Sequence, residues 1–110
     1  MSETEFLALA EAVLGQIETG LEQAGVDADV DLEFSRNGNV LEIEFVDNGS
    51  KIIVNTQAPM QEIWVAARSG GFHYRLIDGS WRNTRDGSEL FASLAALASA
   101  QGGAPLSWPG

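Results

Sequence analysis

Cysteine is absent from this 110-residue chain. That excludes a disulfide scaffold, a thiolate metal site and a cysteine-ligated cluster, and it fits a reducing compartment. Basic residues are scarce: 6 Lys and Arg stand against 16 Asp and Glu, a formal charge of −10. A protein that binds nucleic acid by neutralising phosphates needs the opposite balance, so that class is excluded. The excess points instead to cations, or to a partner with a basic face. No apolar run nears the ~20 residues needed to span a bilayer. The opening Met1-Ser2-Glu3-Thr4-Glu5 carries no basic signal region and no Arg-rich leader, so a cytoplasmic protein is expected. Histidine occurs once, at His73. With no cysteine partner and no sequence-adjacent acid, it reads as a structural or surface residue rather than a catalytic base. No serine sits in a nucleophile elbow, and no glycine pair has phosphate-loop spacing. The chain does not read as an enzyme.

What is present suffices for one domain over residues 1–110. Hydrophobic residues make up 45% of the chain, too many for a disordered acidic tail. In residues 3–24, Phe6, Leu9, Ala10, Val13, Ile17, Leu21 and Ala24 recur at intervals of three and four, which predicts a helix. Ser2 or Thr4 is its expected cap and Gly25 its expected stop. The period then changes to two. Asp29, Asp31 and Glu33 alternate with Val30, Leu32 and Phe34 in a first strand. Leu41, Ile43 and Phe45 alternate with Glu42 and Glu44 in a second, after the hairpin signal Asn37-Gly38. Lys51–Asn55, Glu62–Ala67, Phe72–Leu76 and a short piece around Trp81 complete six strands. Residues 87–100 predict a closing helix, with Asp86 and Glu89 at capping-box spacing. The tail 101–110, which includes Trp108, has no periodicity and fits either a packed or a loose segment. Short connections imply an antiparallel meander. The fold class is therefore α+β: a two-layer sandwich with both helices on one face of the sheet and the other face open.

Charge is placed unevenly. Residues 1–47 hold 12 acids and a single base, Arg36, while residues 48–110 hold 4 acids and 5 bases. On an ideal helix Glu11, Glu18 and Glu22 fall within about 40° of one another. Their stripe leads to Asp27, Asp29, Asp31 and Glu33, so helix end and first strand predict one ridge of carboxylates. Neighbours ~7 Å apart repel by roughly 0.6 kcal/mol per pair in water. Hard cations that take oxygen ligands would relieve this. A solvated edge that keeps other chains away fits the same residues. A calcium loop does not fit, because its sixth position would be Leu32 and its twelfth Gly38. Trp64 stands opposite in sense to Ile63 and Val65. Alternation leaves it either a core residue or, beside Asn55 on the open face, a contact anchor.

The run Asn55-Thr56-Gln57-Ala58-Pro59, followed by Gln61-Glu62-Ile63-Trp64-Val65, resembles the central motif of the frataxin family. Gly70-Gly71-Phe72-His73-Tyr74, Trp81 and Asp86-Gly87-Ser88 continue the resemblance, which covers residues 4–100 or so. The acidic first helix and Asp29-x-Asp31 resemble the bacterial branch. The resemblance implies a small iron-binding protein that attends iron–sulfur cluster assembly and docks on the cysteine desulfurase as a regulator. Iron delivery and contact with the cluster scaffold protein are further implied roles. It implies weak ferrous or ferric iron binding at Glu18, Glu22, Asp27, Asp29, Asp31 and Glu33. It implies partner contacts through Glu11, Glu18, Glu22, Asn55, Gln57 and Trp64, and a monomer that oligomerises with iron. Thr19 and Gln23 thin the ridge, and Leu7 stands where some bacterial members carry a histidine. The alternative reading is an acidic interaction module, an inhibitor or phosphate mimic with no metal role.

Overall fold

A computed structural model describes residues 1–107. The order is α1 (Glu3–Ala28), β1 (Leu32–Asn37), β2 (Val40–Phe45), β3 (Ser50–Gln57), a single 3-10 turn (Ala58–Met60), β4 (Glu62–Ala67), β5 (Gly70–Ile77), β6 (Ser80–Asn83) and α2 (Leu90–Gly102). The six strands lie in sequence order, each antiparallel to the next. Both helices cover one face, as the two hydrophobic periods imply. Phe6, Ala10, Val13, Leu14, Ile17 and Leu21 of α1 are buried together with Leu41, Ile43, Ile52, Val54, Ile63, Val65 and Tyr74 of the sheet. Leu90, Leu94 and Ala98 of α2 close the same core. Phe6 meets Trp81 edge to face, with centroids 6.1 Å apart.

The helix caps divide the expectations. Ser2 caps α1 by accepting from the Glu5 N–H, as expected. Gly25 does not stop the helix, which runs on to Ala28. Gly25 is there for proximity: a Cβ at that position would stand 2.9 Å from the Val30 carbonyl oxygen. The stop is Asp29, in the left-handed region at φ 57°. The first strand therefore begins at Leu32 and not at Asp29. The second helix starts at Leu90 and not at 87, because Glu89 is its cap and accepts from the Phe91 and Ala92 N–H groups. Asp86 instead accepts from the Ser88 N–H and hydroxyl in a local turn. Leu9, expected on the apolar face, is exposed and Leu14 is buried in its place. The tail packs back as far as it is described. Leu106 is buried and its N–H donates to Ser99 Oγ at 2.8 Å. Trp108 lies outside the described residues.

Candidate functional surface

The acidic side chains occupy three structural settings. Glu11, Glu18 and Glu22 project from α1, Glu18 half-buried and the other two exposed. Asp27 lies in the last turn of α1, Asp29 is its cap, and Asp31 precedes β1, all exposed. Asp29 and Asp31 thus sit in the connection rather than on a strand face. Asp27 and Asp29 stand at the negative end of the helix dipole, and the last turn of α1 holds no base to offset them. Glu33 lies in β1 and is exposed. Register sets it opposite Glu44 of β2, with Glu42 two residues before Glu44 on the same face. Leu32, Phe34 and Arg36 take the other side of β1, toward the helices. The ridge therefore bends around the edge strand onto the open sheet face.

Ion pairs temper the ridge at two points. Arg36, the single base of the acidic half, reaches across to Glu11 and ties β1 to α1. Glu11 is thereby already paired. Lys51 pairs with Glu42 at 2.8 Å, and that hydrogen-bonded contact raises the Lys51 ammonium above its ordinary value. Among the described residues no three His, Asp or Glu side chains come together closely enough to hold a metal ion. The ridge is a dispersed carboxylate surface, not a chelate.

The open face carries a second constellation. Ile63 and Val65 are buried under the helices, so Trp64 faces the other way and is half-buried. Register aligns Asn55 of β3, Trp64 of β4 and His73 of β5 in one row. The next row is Gln57, Glu62, Arg75 and Arg82. Gln57 Nε2 donates to Asn55 Oδ1 at 2.7 Å. The His73 ring stacks on the indole, 4.3 Å between centroids and 7° from parallel. Glu62, beside Trp64 on the same strand, is 3% exposed. It accepts from Trp64 Nε1 at 2.9 Å and from Arg75 at 2.7 Å. Asn55 is thus brought beside Trp64 as the alternation allowed, and Gln57, which only the family resemblance had named, joins them. His73, Glu62 and Arg75 were not singled out as their neighbours. The signal lay in cross-strand register, which pairs residues 62 with 75 and 64 with 73 and is set by the two-residue turn at Arg68-Ser69.

Frataxin-like domains match this chain over residues 1–104. Two relatives named iron-sulfur cluster assembly protein CyaY are similar to it along nearly their whole length. That from Janthinobacterium sp. (strain Marseille) is 62% identical over 96% of this chain and 95% of its own. That from Herminiimonas arsenicoxydans is 61% identical over 94% and 92%. Among solved structures, the frataxin of Psychromonas ingrahamii superposes with a TM-score of 0.85 at 32% identity, covering 97% of both chains. Trimeric yeast frataxin, solved in a complex with ferrous iron, shares the fold at a TM-score of 0.72 and 24% identity, over 86% of this chain and 85% of that one. No helix among the described residues is long and apolar enough to cross a membrane.

Proposed function

The chain belongs to the frataxin family, on its bacterial branch, and from that membership we propose that it is a non-catalytic iron–sulfur cluster assembly protein that regulates the cysteine desulfurase by docking on it. The observation that carries this reading is the pairing of a long-range and a short-range feature on one molecule. The acidic ridge supplies steering: residues 1–47 hold 12 acids against one base, and a charge of that density speeds encounter with a basic patch. Charge alone gives little register. The half-buried Trp64, flanked by Asn55 and Gln57 on the open face, supplies a short-range anchor of the kind that dominates interfaces.

Iron is cargo in this reading. Ferrous and ferric ions bind Glu18, Glu22, Asp27, Asp29, Asp31 and Glu33 weakly, because the carboxylates are dispersed, all but the half-buried Glu18 are exposed, and no histidine joins them. Several loosely shared carboxylates also favour association of copies through bridging ions, and the metal-free protein is a monomer. The cluster scaffold protein is a second partner of the same complex. A cytoplasmic site of action fits the cysteine-free composition. Reconstituted cluster assembly tests the proposal: the rate of cluster formation should change on adding this protein, and the Trp64→Ala variant should be far less effective.

A second reading is favoured by the same dispersal of the ridge. With no compact chelate, the carboxylates would serve a basic partner alone, as an acidic interaction module without iron. Iron titration followed by Asp29→Asn/Asp31→Asn separates the two. Binding that is lost in the double variant supports the metal role, and the absence of any saturable binding supports the module.

A further inference from the structure

Glu62 poses a physical question that the docking surface does not answer by itself. It lies on the sheet face away from the helices, yet its side chain is only 4% exposed. The groups that bond it come from that same face: the indole of Trp64 and the guanidinium of Arg75. His73 Nδ1 stands 3.6 Å away, beyond hydrogen-bond distance, while its ring stacks on the indole. Burying a carboxylate is costly, and an apolar residue of similar volume at such a position is commonly neutral or better for stability. A buried carboxylate with two directed bonds therefore implies a use for the directions. Indole has one polar hydrogen and no acceptor. Glu62 takes that hydrogen, so the ring meets an incoming surface with no donor left to satisfy.

We infer that Glu62 is a positioning residue for the Trp64 anchor: its carboxylate fixes the indole orientation by accepting from Nε1, and Arg75 holds the carboxylate in turn. The consequence for the partner is chemical. One face of the ring is covered by His73 and the N–H is spent inward. The partner group that meets Trp64 is thus apolar, and not a hydrogen-bond acceptor for the indole. This inference rests on the proposal that Trp64 is the docking anchor.

Glu62→Gln and Glu62→Leu test it, because both remove the same charge and both fill the site, while only the glutamine retains an oxygen for the indole. The first readout is the Trp64 indole N–H resonance and its solvent exchange in the free protein. Slow exchange is expected in wild type, retained in E62Q and lost in E62L. The second is affinity for the cysteine desulfurase. E62L is expected to bind about tenfold more weakly than wild type, the size of one charge-assisted hydrogen bond, and E62Q within about threefold. Equal affinities for E62Q and E62L, or an indole N–H that exchanges as slowly in E62L as in wild type, would overturn the positioning role. Trp64→Ala run in parallel keeps the two ideas apart. If it weakens binding while E62L does not, the anchor stands and the positioning role falls. If it leaves binding unchanged, the anchor reading itself falls, and the inferred constraint on the partner falls with it.

Discussion

At the scale of single residues, Trp64 carries the sharpest consequence. Its ring is half-buried on the open sheet face, bonded to Glu62 and stacked on His73, and it takes no part in the core under the helices. Trp64→Ala should therefore leave the domain folded, with a stability loss of about 1–2 kcal/mol, well short of removing a core aromatic. The same change should weaken desulfurase binding by about 2 kcal/mol or more. Thermal denaturation and calorimetric titration of one variant read both numbers. Asp29→Asn/Asp31→Asn should reduce iron binding measured by titration, and undiminished binding would move the metal elsewhere on the ridge. The sequence left Trp64 undecided between core and surface because alternation names two faces without saying which one is covered. The covering is a tertiary fact, supplied here by α1 and α2 over Ile63 and Val65. Glu62 was unreadable for a related reason. A glutamate on an open strand face is ordinarily solvated, and only the register that brings Arg75 and the indole around it makes it a buried hub.

At the scale of elements, two of the three glycines of α1, Gly15 and Gly25, separate propensity from packing. Gly15 has open space around its missing Cβ, whereas a Cβ on Gly25 would meet the Val30 carbonyl at 2.9 Å and Leu32 at 3.1 Å. Gly15→Ala should raise stability by up to about 1 kcal/mol through helix propensity. Gly25→Ala should lower it, since the chain that returns as β1 must move away. Melting temperatures shifting in opposite directions would support this division. Glu89→Ala should cost about 1 kcal/mol by uncapping α2, while Asp86→Ala should cost less. The elements themselves were legible because the apolar period changes from about 3.6 to 2 after α1 and back before α2. Their ends were less so. Gly25 looks like a terminator, but a left-handed aspartate does that work at position 29. Asp86 and Glu89 compete for one cap, and the choice depends on which backbone N–H groups remain free.

At the scale of the whole molecule, charge is both the cost and the instrument. The ridge crowds carboxylates at the C-terminal end of α1, where the helix dipole is also negative, with no base in that last turn. Simple salt should raise the melting temperature by screening, and divalent or trivalent cations should raise it further at equal ionic strength by binding the folded state. Equal effects of monovalent and multivalent ions at matched ionic strength would remove the argument for metal on the ridge. The asymmetry between the two parts of the chain was plain in the sequence. Its route around the edge strand onto the open face, through Glu33, Glu44 and Glu42, required the sheet register.

Docking through a steering ridge and a tryptophan anchor makes separable claims on one measurement: desulfurase affinity of wild type, Trp64→Ala and Glu18→Lys/Glu22→Lys at low and near-physiological ionic strength. Wild-type affinity should fall as salt rises. Trp64→Ala should bind more weakly at both ionic strengths with the salt slope retained, and the charge reversal should slow association and flatten the slope. Wild-type binding by the charge-reversed variant at low salt would contradict electrostatic docking, and wild-type binding by Trp64→Ala would contradict the anchor.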